Sequence, residues 1–388
     1  MHDVVLDTIF DKLDFITDAF PTKPKAENFL AFFLGISLCP LSTLKGFSEW
    51  LDGWKNQSSL NRFLTSGCWN PNDLQKMSLK WLAEVIAASH QTIYLIIDDS
   101  KAKKTGKFIE KVYFDHDTSI GKSILCHTFL TSILRIGSLE LPFATELYDK
   151  TKKHKPGFKS KLDIANEHIE AFLRIVPFKD KIVILFDSWY CAAKIISKLP
   201  SDVSWVSRLK RNRTIKIDGF WFKPDEILSC VKTWNFKRIR INGESYWGCP
   251  LRVEVKELGV VTLIIVKKKR YSKYAEFFVS NIDAPAKIIL QHYSQRWRIE
   301  VFFRSIKQDF GMGGYQMRKF KGIRRYWALV LLTYTIVSVL RNKWKKTCRT
   351  IGEAIAKLRA LVQKQAQDYG RSYGAMIENY VEEKNAKL

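Results

Sequence analysis

Two short runs, TIYLIIDDS over residues 92–100 and KIVILFDSWY over 181–190, constrain the fold most. Each is a β-branched, almost unbroken apolar stretch ending in aspartate. A strand with one wet face alternates apolar and polar residues. A run that is apolar throughout belongs in the middle of a sheet, covered on both sides. Between the two runs, Ile164, Ile169, Phe172 and Leu173 recur at helical spacing over 162–176. If the two strands lie side by side in one sheet, their C-terminal ends bring the aspartates together.

A second feature is QHYSQRWRIEVFFRSIKQDF, residues 291–310, which contains Tyr293, Arg296, Glu300 and Lys307 in the pattern Tyr-x2-Arg-x3-Glu-x6-Lys. The window has no Gly or Pro, and its apolar positions have helical period. A single helix is therefore predicted, with the four side chains within roughly 60° of arc. Ile299, Phe302, Phe303 and Ile306 fill the neighbouring face and anchor it to a core. A carboxylate flanked by cations on a rigid face suits metal binding beside a phosphate. The same pattern also describes a salt-bridged surface helix with pairs such as Glu300–Arg304.

The other elements follow from pattern. Residues 1–90 are helical in four stretches: Phe10, Leu13, Phe15 and Ile16; residues 27–39; SSLNRFLTSG; and LQKMSLKWLAEVIAAS. They suit DNA-end binding or dimer contacts, and equally a plain helical cap. Strands are expected at about 110–116 and 123–136, a basic loop at 149–161, a helix at 189–199 and a strand at 203–209. Residues 210–280 are rich in β-branched and aromatic residues, with turn signals at Asp218-Gly219, Asn242-Gly243 and Leu258-Gly259. This order fits an α/β fold. An RNase H-like domain (91–209 and 281–345), a mixed sheet flanked by helices, is interrupted by a β-rich insertion (210–280). A helical N-terminal domain (1–90) precedes it and a helical tail (346–388) follows.

In that arrangement two strand-end aspartates and Glu300 converge. Three carboxylates in one place are stable at neutral pH only with metal ions or shared protons. Oxygen-only ligation favours Mg²⁺ or Mn²⁺. Two such ions about 4 Å apart suit in-line phosphodiester chemistry without a protein nucleophile. Asp98 and Asp99 compete for one position, and Asp99 is expected to face the shared edge, with Asp98 on the other side. Each aspartate taken alone also reads as a turn former or helix N-cap.

Charge points the same way. Lys and Arg number 64 against 39 acids, a formal net charge of +25 over 388 residues. That excess attracts polyanions, with nucleic acid as the default partner. Lys101, Lys103, Lys104 and Lys107 follow the first aspartates. Lys152, Lys153, His154 and Lys155 lie in the basic loop, Lys267–Arg270 at a hairpin tip, and Arg318, Lys319, Lys321, Arg324 and Arg325 just past the glutamate helix. Trp221, Trp234 and Trp247 in the insertion suit either base stacking or a small core. Gly311, Gly313 and Gly314 read as a helix end and turn. Seven scattered cysteines without a CxxC pair suit reduced thiols and no zinc. The longest apolar stretch, residues 327–340, is too short to span a bilayer, and a buried helix is expected. The opening residues carry no basic segment or cleavage site of a secretory signal. A cytoplasmic, nucleoid-associated protein is expected, with no membrane partner.

With these blocks in view, the chain resembles the DDE transposases of bacterial and archaeal insertion sequences, in particular the branch with a Tyr-Arg-Glu-Lys signature. YSQRWRIEVFFRSIK matches every fixed position of that signature. IIDDSKAKKTGK resembles the first catalytic block and VILFDSWYCA the second. Where many relatives carry Arg-Gly after the second aspartate, this chain has Ser188-Trp189-Tyr190. The resemblance runs from about residue 25 to 345 and implies Asp99, Asp187 and Glu300 as catalytic metal ligands for Mg²⁺ or Mn²⁺, two ions. It further implies phosphate contacts from Tyr293, Arg296 and Lys307, and Trp297 touching a displaced base. Partners would be double-stranded DNA, as terminal inverted repeats and target, and a second copy of the chain. The implied activity is cut-and-paste transposition. The alternatives are an inactive relative that only binds DNA, or an RNase H-like nuclease without strand transfer.

Overall fold

The two apolar runs form neighbouring parallel strands in the computed structural model, which describes residues 9, 15–40, 43–118, 120–368 and 372–385. Phe10 and Leu13 lie outside the described residues. Helices α1 (Phe15–Ala19), α2 (Lys23–Leu38), α3 (Leu44–Trp50), α4 (Gln57–Thr65) and α5 (Pro71–Ala87) open the chain. Strands β1 (Ile93–Lys103), β2 (Tyr113–Asp117), β3 (Lys122–Ile136) and β4 (Leu139–Tyr148) follow, then α6 (Lys161–Ile175), β5 (Ile182–Phe186), α7 (Ala193–Ile196) and β6 (Ser204–Arg208). The insertion supplies β7 (Ile215–Ile217), β8 (Phe220–Phe222), α8 (Pro224–Cys230), β9 (Lys237–Ile241), β10 (Glu244–Val255), β11 (Gly259–Lys267) and β12 (Glu276–Ser280). Helices α9 (Ala286–Ser294), α10 (Trp297–Gln308), α11 (Phe320–Lys343), α12 (Ile351–Asp368) and α13 (Tyr373–Asn385) complete it.

All twelve described strands belong to one mixed sheet. β1 pairs antiparallel with β3 and parallel with β5, and β5 pairs parallel with β6. Because β1 and β5 are covered on both faces, their side chains sort by parity. Ile96, Val183 and Leu185 join one core with α2, α10 and α11. Ile93, Leu95, Ile97, Ile184 and Phe186 join the other, with α6. Helix α6 starts on a capping box formed by Ser160 and Asp163, which satisfies amides at its first turn. Helix α11 is the one described helix long and apolar enough to cross a membrane, and it is largely buried within the protein. Arg325 in its first half donates to the carbonyls of Leu64 (2.9 Å) and Gly67 (2.6 Å), tying α4 to the core.

Three features depart from the sequence reading. First, β4 was not expected. Pro142 and the acids at 140 and 146 break its strand pattern, yet β4 pairs only with β3, and an edge strand tolerates proline. Glu140, 3 % exposed, is neutralised there by Arg135 (2.6 Å) and Arg298 (2.5 Å). Second, residues 189–199 form only the short helix α7. Third, the insertion is not set apart from the sheet, because β12 pairs with β6 in register, Phe278 opposite Arg208.

His168 on α6 is buried against β3, where its Nδ1 lies 2.9 Å from the Ser132 hydroxyl. Burial, with Lys159 adding to it, pushes the imidazole down from 6.5 to about 3. The unfolded chain therefore takes up a proton below pH 6.5 that the folded chain refuses. Stability should fall as pH drops from about 6.5 toward 3, by at most about 1.4 kcal/mol per pH unit from this group. Denaturant titrations across pH 7.5 to 5 should show a shallower decline in His168→Gln than in the parent.

Candidate active site

The register of β1 on β5 ends at the pair Ile97–Phe186. The next residues, Asp98 and Asp187, therefore leave adjacent strands side by side. Paired positions of parallel strands point to the same face. Parity puts that face with Ile96 and Leu185, toward α10. The charge of Asp187 acts on the Asp98 carboxyl, as this placement requires. Glu300 reaches the same place from the first turn of α10. One guanidinium joins the two elements: Arg296 contacts Asp98 Oδ2 at 3.2 Å and also pairs with Glu300. Burial raises the Asp98 carboxyl to about 7. The Asp99 amide and Arg296 oppose that rise, while Asp99 and Asp187 add to it.

The two adjacent aspartates stand the other way round from expectation. Asp99 faces α6, with Lys161 Nζ on its Oδ2 and the Tyr190 hydroxyl on its Oδ1, each at 2.6 Å. The next two residues alternate in step with this. Ser100 accepts from Lys307 Nζ at 2.7 Å on the Asp98 side, whereas Lys101 pairs with Asp115 at 3.1 Å. The apolar run could not reveal the parity, because both of its faces are buried.

The predicted single helix is two helices. α9 ends at Ser294 and α10 begins at Trp297. Gln295 and Arg296 between them stay in the right-handed helical region, with i→i+3 bonds such as Arg296 N to Tyr293 O at 2.9 Å. Tyr293 packs edge-on against Phe278 at 4.7 Å between ring centroids, and burial pushes its phenol up to about 12. No hydrogen-bond partner is positioned for the Tyr293 hydroxyl or for Arg296 Nε. Trp297 is 54 % exposed at the start of α10. Ile299, Phe302, Phe303 and Ile306 are buried as expected. Gly311, at φ 62°, ends α10, and the Met312 amide reaches back to Ile306 O at 2.8 Å.

The basic residues divide into free and committed groups. Lys103, Lys107 and Arg318 are exposed, the Arg318 guanidinium lying over the Phe108 ring. Lys319 is exposed and pairs with Glu110 at 2.9 Å. Lys104, grouped with them from sequence, is buried. Its ammonium lies 3.2 Å from the centre of the Tyr315 ring and donates to the carbonyls of Gly313 (2.6 Å) and Tyr315 (2.9 Å). It clamps the turn after α10 to the end of β1, while His127 on the neighbouring β3 lies 2.6 Å from the Tyr315 hydroxyl and holds the same turn from that strand. Lys267 is buried over Phe236 and Arg325 is buried in the core, so neither faces solvent. Lys152, Lys153 and Lys155 are exposed. Trp221 and Trp234 are exposed, while Trp247 carries the Arg270 guanidinium over its ring at 5.1 Å. The sequence reading passed over Arg208, which faces Phe278 and Tyr293 from the end of β6.

Among the described residues, no three His, Cys, Asp or Glu side chains lie close enough to share one metal ion. Between Asp98 and Glu300 the counter-charge is Arg296. The donor set is nevertheless all oxygen, the chemistry that suits a hard divalent ion, at a place that already accommodates the Arg296 cation. All seven cysteines are free and none joins this group.

The sheet order β4-β3-β1-β5-β6, with an acidic group at the ends of its two central strands, is that of an RNase H-like nuclease. A solved piggyBac transposase synaptic complex with hairpin DNA has the same fold. Its TM-score is 0.52 at 10% identity, over 92% of this chain and 75% of that one. A model described as the transposase DDE domain matches residues 153–336. A second model, the DDE superfamily endonucleases, matches residues 18–219, over half of the chain, and the protein belongs to that superfamily. No protein of curated function matches it in sequence.

The ionic coupling of β1 to α10 is measurable. In a double-mutant cycle in metal-free buffer, Asp98→Asn and Arg296→Gln should show a coupling energy of about 0.5–3 kcal/mol. Additive losses in denaturant unfolding would rule out the bridge.

Proposed function

We propose that the chain is a DNA transposase of the branch with the Tyr-Arg-Glu-Lys signature, which cuts element ends and joins their 3′-hydroxyls to target DNA. The observation that carries this reading is the register of β1 on β5, which sets Asp98 beside Asp187 with Glu300 across from them on α10. Family membership and the likeness to a transposase bound to hairpin DNA support it. So does the net charge of +25. The setting this reading assigns is a bacterial or archaeal insertion sequence, with the protein acting as a homodimer in the cytoplasm.

Asp98, Asp187 and Glu300 are the residues that would hold Mg²⁺ or Mn²⁺. Asp98 takes the role expected of Asp99. Two such ions, when bound, supply activation of water or a 3′-hydroxyl and stabilisation of the leaving oxygen. The protein's own groups do the rest. Arg296 holds Asp98 and Glu300 together as a cation of the chain itself, and it must turn away for both carboxylates to take an external ion. Its guanidinium and the unpartnered Tyr293 hydroxyl are then donors for a phosphate oxygen near the scissile bond. Lys307, parked on Ser100, is a third. Exposed Trp297 offers a stacking face beside them. Lys103, Arg318 and Lys319 line the path of the backbone, whereas Lys104 supports the wall behind it. Lys101 contacts DNA only if it gives up Asp115.

Asp98→Asn, Asp187→Asn and Glu300→Gln should each slow cleavage by at least about 10²-fold while keeping DNA binding. The assay uses labelled duplexes from the DNA flanking the gene, with Mg²⁺. Joined product supports transposition. Nicks without joining identify a nuclease, and binding without nicks an inactive relative in which Arg296 stays in place. Lys307→Ala should lower the slope of log affinity against log salt by about 1. An unchanged slope by fluorescence anisotropy would remove Lys307 from the phosphate contacts.

A further inference from the structure

We infer that Asp99 is a positioning residue, which holds the Asp187 turn against the end of β1 through Tyr190. The inference rests on the proposed reading of Asp98, Asp187 and Glu300 as metal ligands.

Backbone pairing between β1 and β5 stops at Ile97–Phe186. β1 continues to Lys103 on β3, but β5 ends. No ladder hydrogen bond therefore fixes Asp187 relative to Asp98, although both lie immediately beyond the last pair. A site built to share ions between carboxylates needs that separation held to about 0.5 Å. Side chains on the opposite face of the sheet take over where the ladder stops. Tyr190, 1 % exposed, donates its amide hydrogen to Asp187 O at 2.9 Å, closing the turn around Asp187. Its hydroxyl donates to Asp99 Oδ1 at 2.6 Å, tying that turn to β1. The other oxygen of Asp99 accepts from Lys161 Nζ, also at 2.6 Å, at the start of α6. Lys161 is held in turn against the rings of Tyr148 and Trp189. One carboxylate thus joins β1, the turn after β5 and α6. The pair Asp98-Asp99 divides two tasks by parity, one residue on each face.

A polar outer contact of this kind around ligands affects metal affinity by roughly 10–100-fold. Mn²⁺ binding to the whole chain, followed by electron paramagnetic resonance without DNA, reads this directly. Thermal unfolding of each variant without metal checks folding. Tyr190→Phe, which removes one hydroxyl and keeps the ring, should weaken Mn²⁺ binding about 10-fold or more, and Asp99→Asn likewise. Asp98→Asn should weaken it further than either. Wild-type affinity in both Tyr190→Phe and Asp99→Asn, beside a loss in Asp98→Asn, overturns the positioning role and leaves the ligand assignment intact. A loss in Asp99→Asn with none in Asp98→Asn makes Asp99 itself the ligand and also overturns it. If the parent binds no Mn²⁺, the underlying reading fails, and this inference with it. If Asp99→Asn unfolds, Tyr190→Phe decides alone.

Discussion

Everything at the site depends on two strands buried on both faces running parallel and in register. Once Ile97 lies beside Phe186, the next two residues must emerge together at the sheet edge on the face with α10. No local preference of aspartate is required for this. It follows from the pairing of apolar β-branched runs and from the two-residue repeat of a strand. Glu300 is brought in by a different force, the burial of Ile299, Phe302, Phe303 and Ile306 in the core that α11 completes. Packing therefore delivers the three acids, and their mutual repulsion is offset by Arg296.

The Arg296 bridge changes how the site should be pictured. Three bare carboxylates would push one another apart at neutral pH. Here one residue of the signature neutralises two of them, and Asp98, raised to about 7, lies where proton and cation compete for the same oxygen. The oxygen chemistry of the donor set and the charge balance of the folded chain thus meet in one side chain. Arg298, two residues further on, does similar work below the site by holding Glu140 with Arg135.

Much of this was legible in the sequence, in uneven ways. The two apolar runs announced central strands; their register sets Asp187 beside Asp98, and the packing of α10 brings Glu300 to the same end of the sheet. The choice between Asp98 and Asp99 was not legible, because a strand buried on both sides has no alternation from which to read parity. The break between Ser294 and Trp297 was hidden, since Gln295 and Arg296 remain helical and only the hydrogen bonds tighten. β4 was masked by Pro142 and by Glu140, whose charge makes sense only beside two arginines from elsewhere in the chain. Cations were the hardest to sort. Lys104 and Arg325 read like their exposed neighbours, yet each ends among backbone carbonyls. No short-range pattern reports which ammonium or guanidinium will find such partners.

The pairing of β12 with β6 has a mechanical consequence. An insertion hung on a flexible linker could swing like a lid, but this one shares backbone hydrogen bonds with the strand that abuts the site. A load applied to its outer hairpins is carried through the sheet as twist and shear, and rotating it freely would mean breaking the ladder. The insertion is thereby coupled to the strand beside the three acids, and a displacement of one is passed to the other.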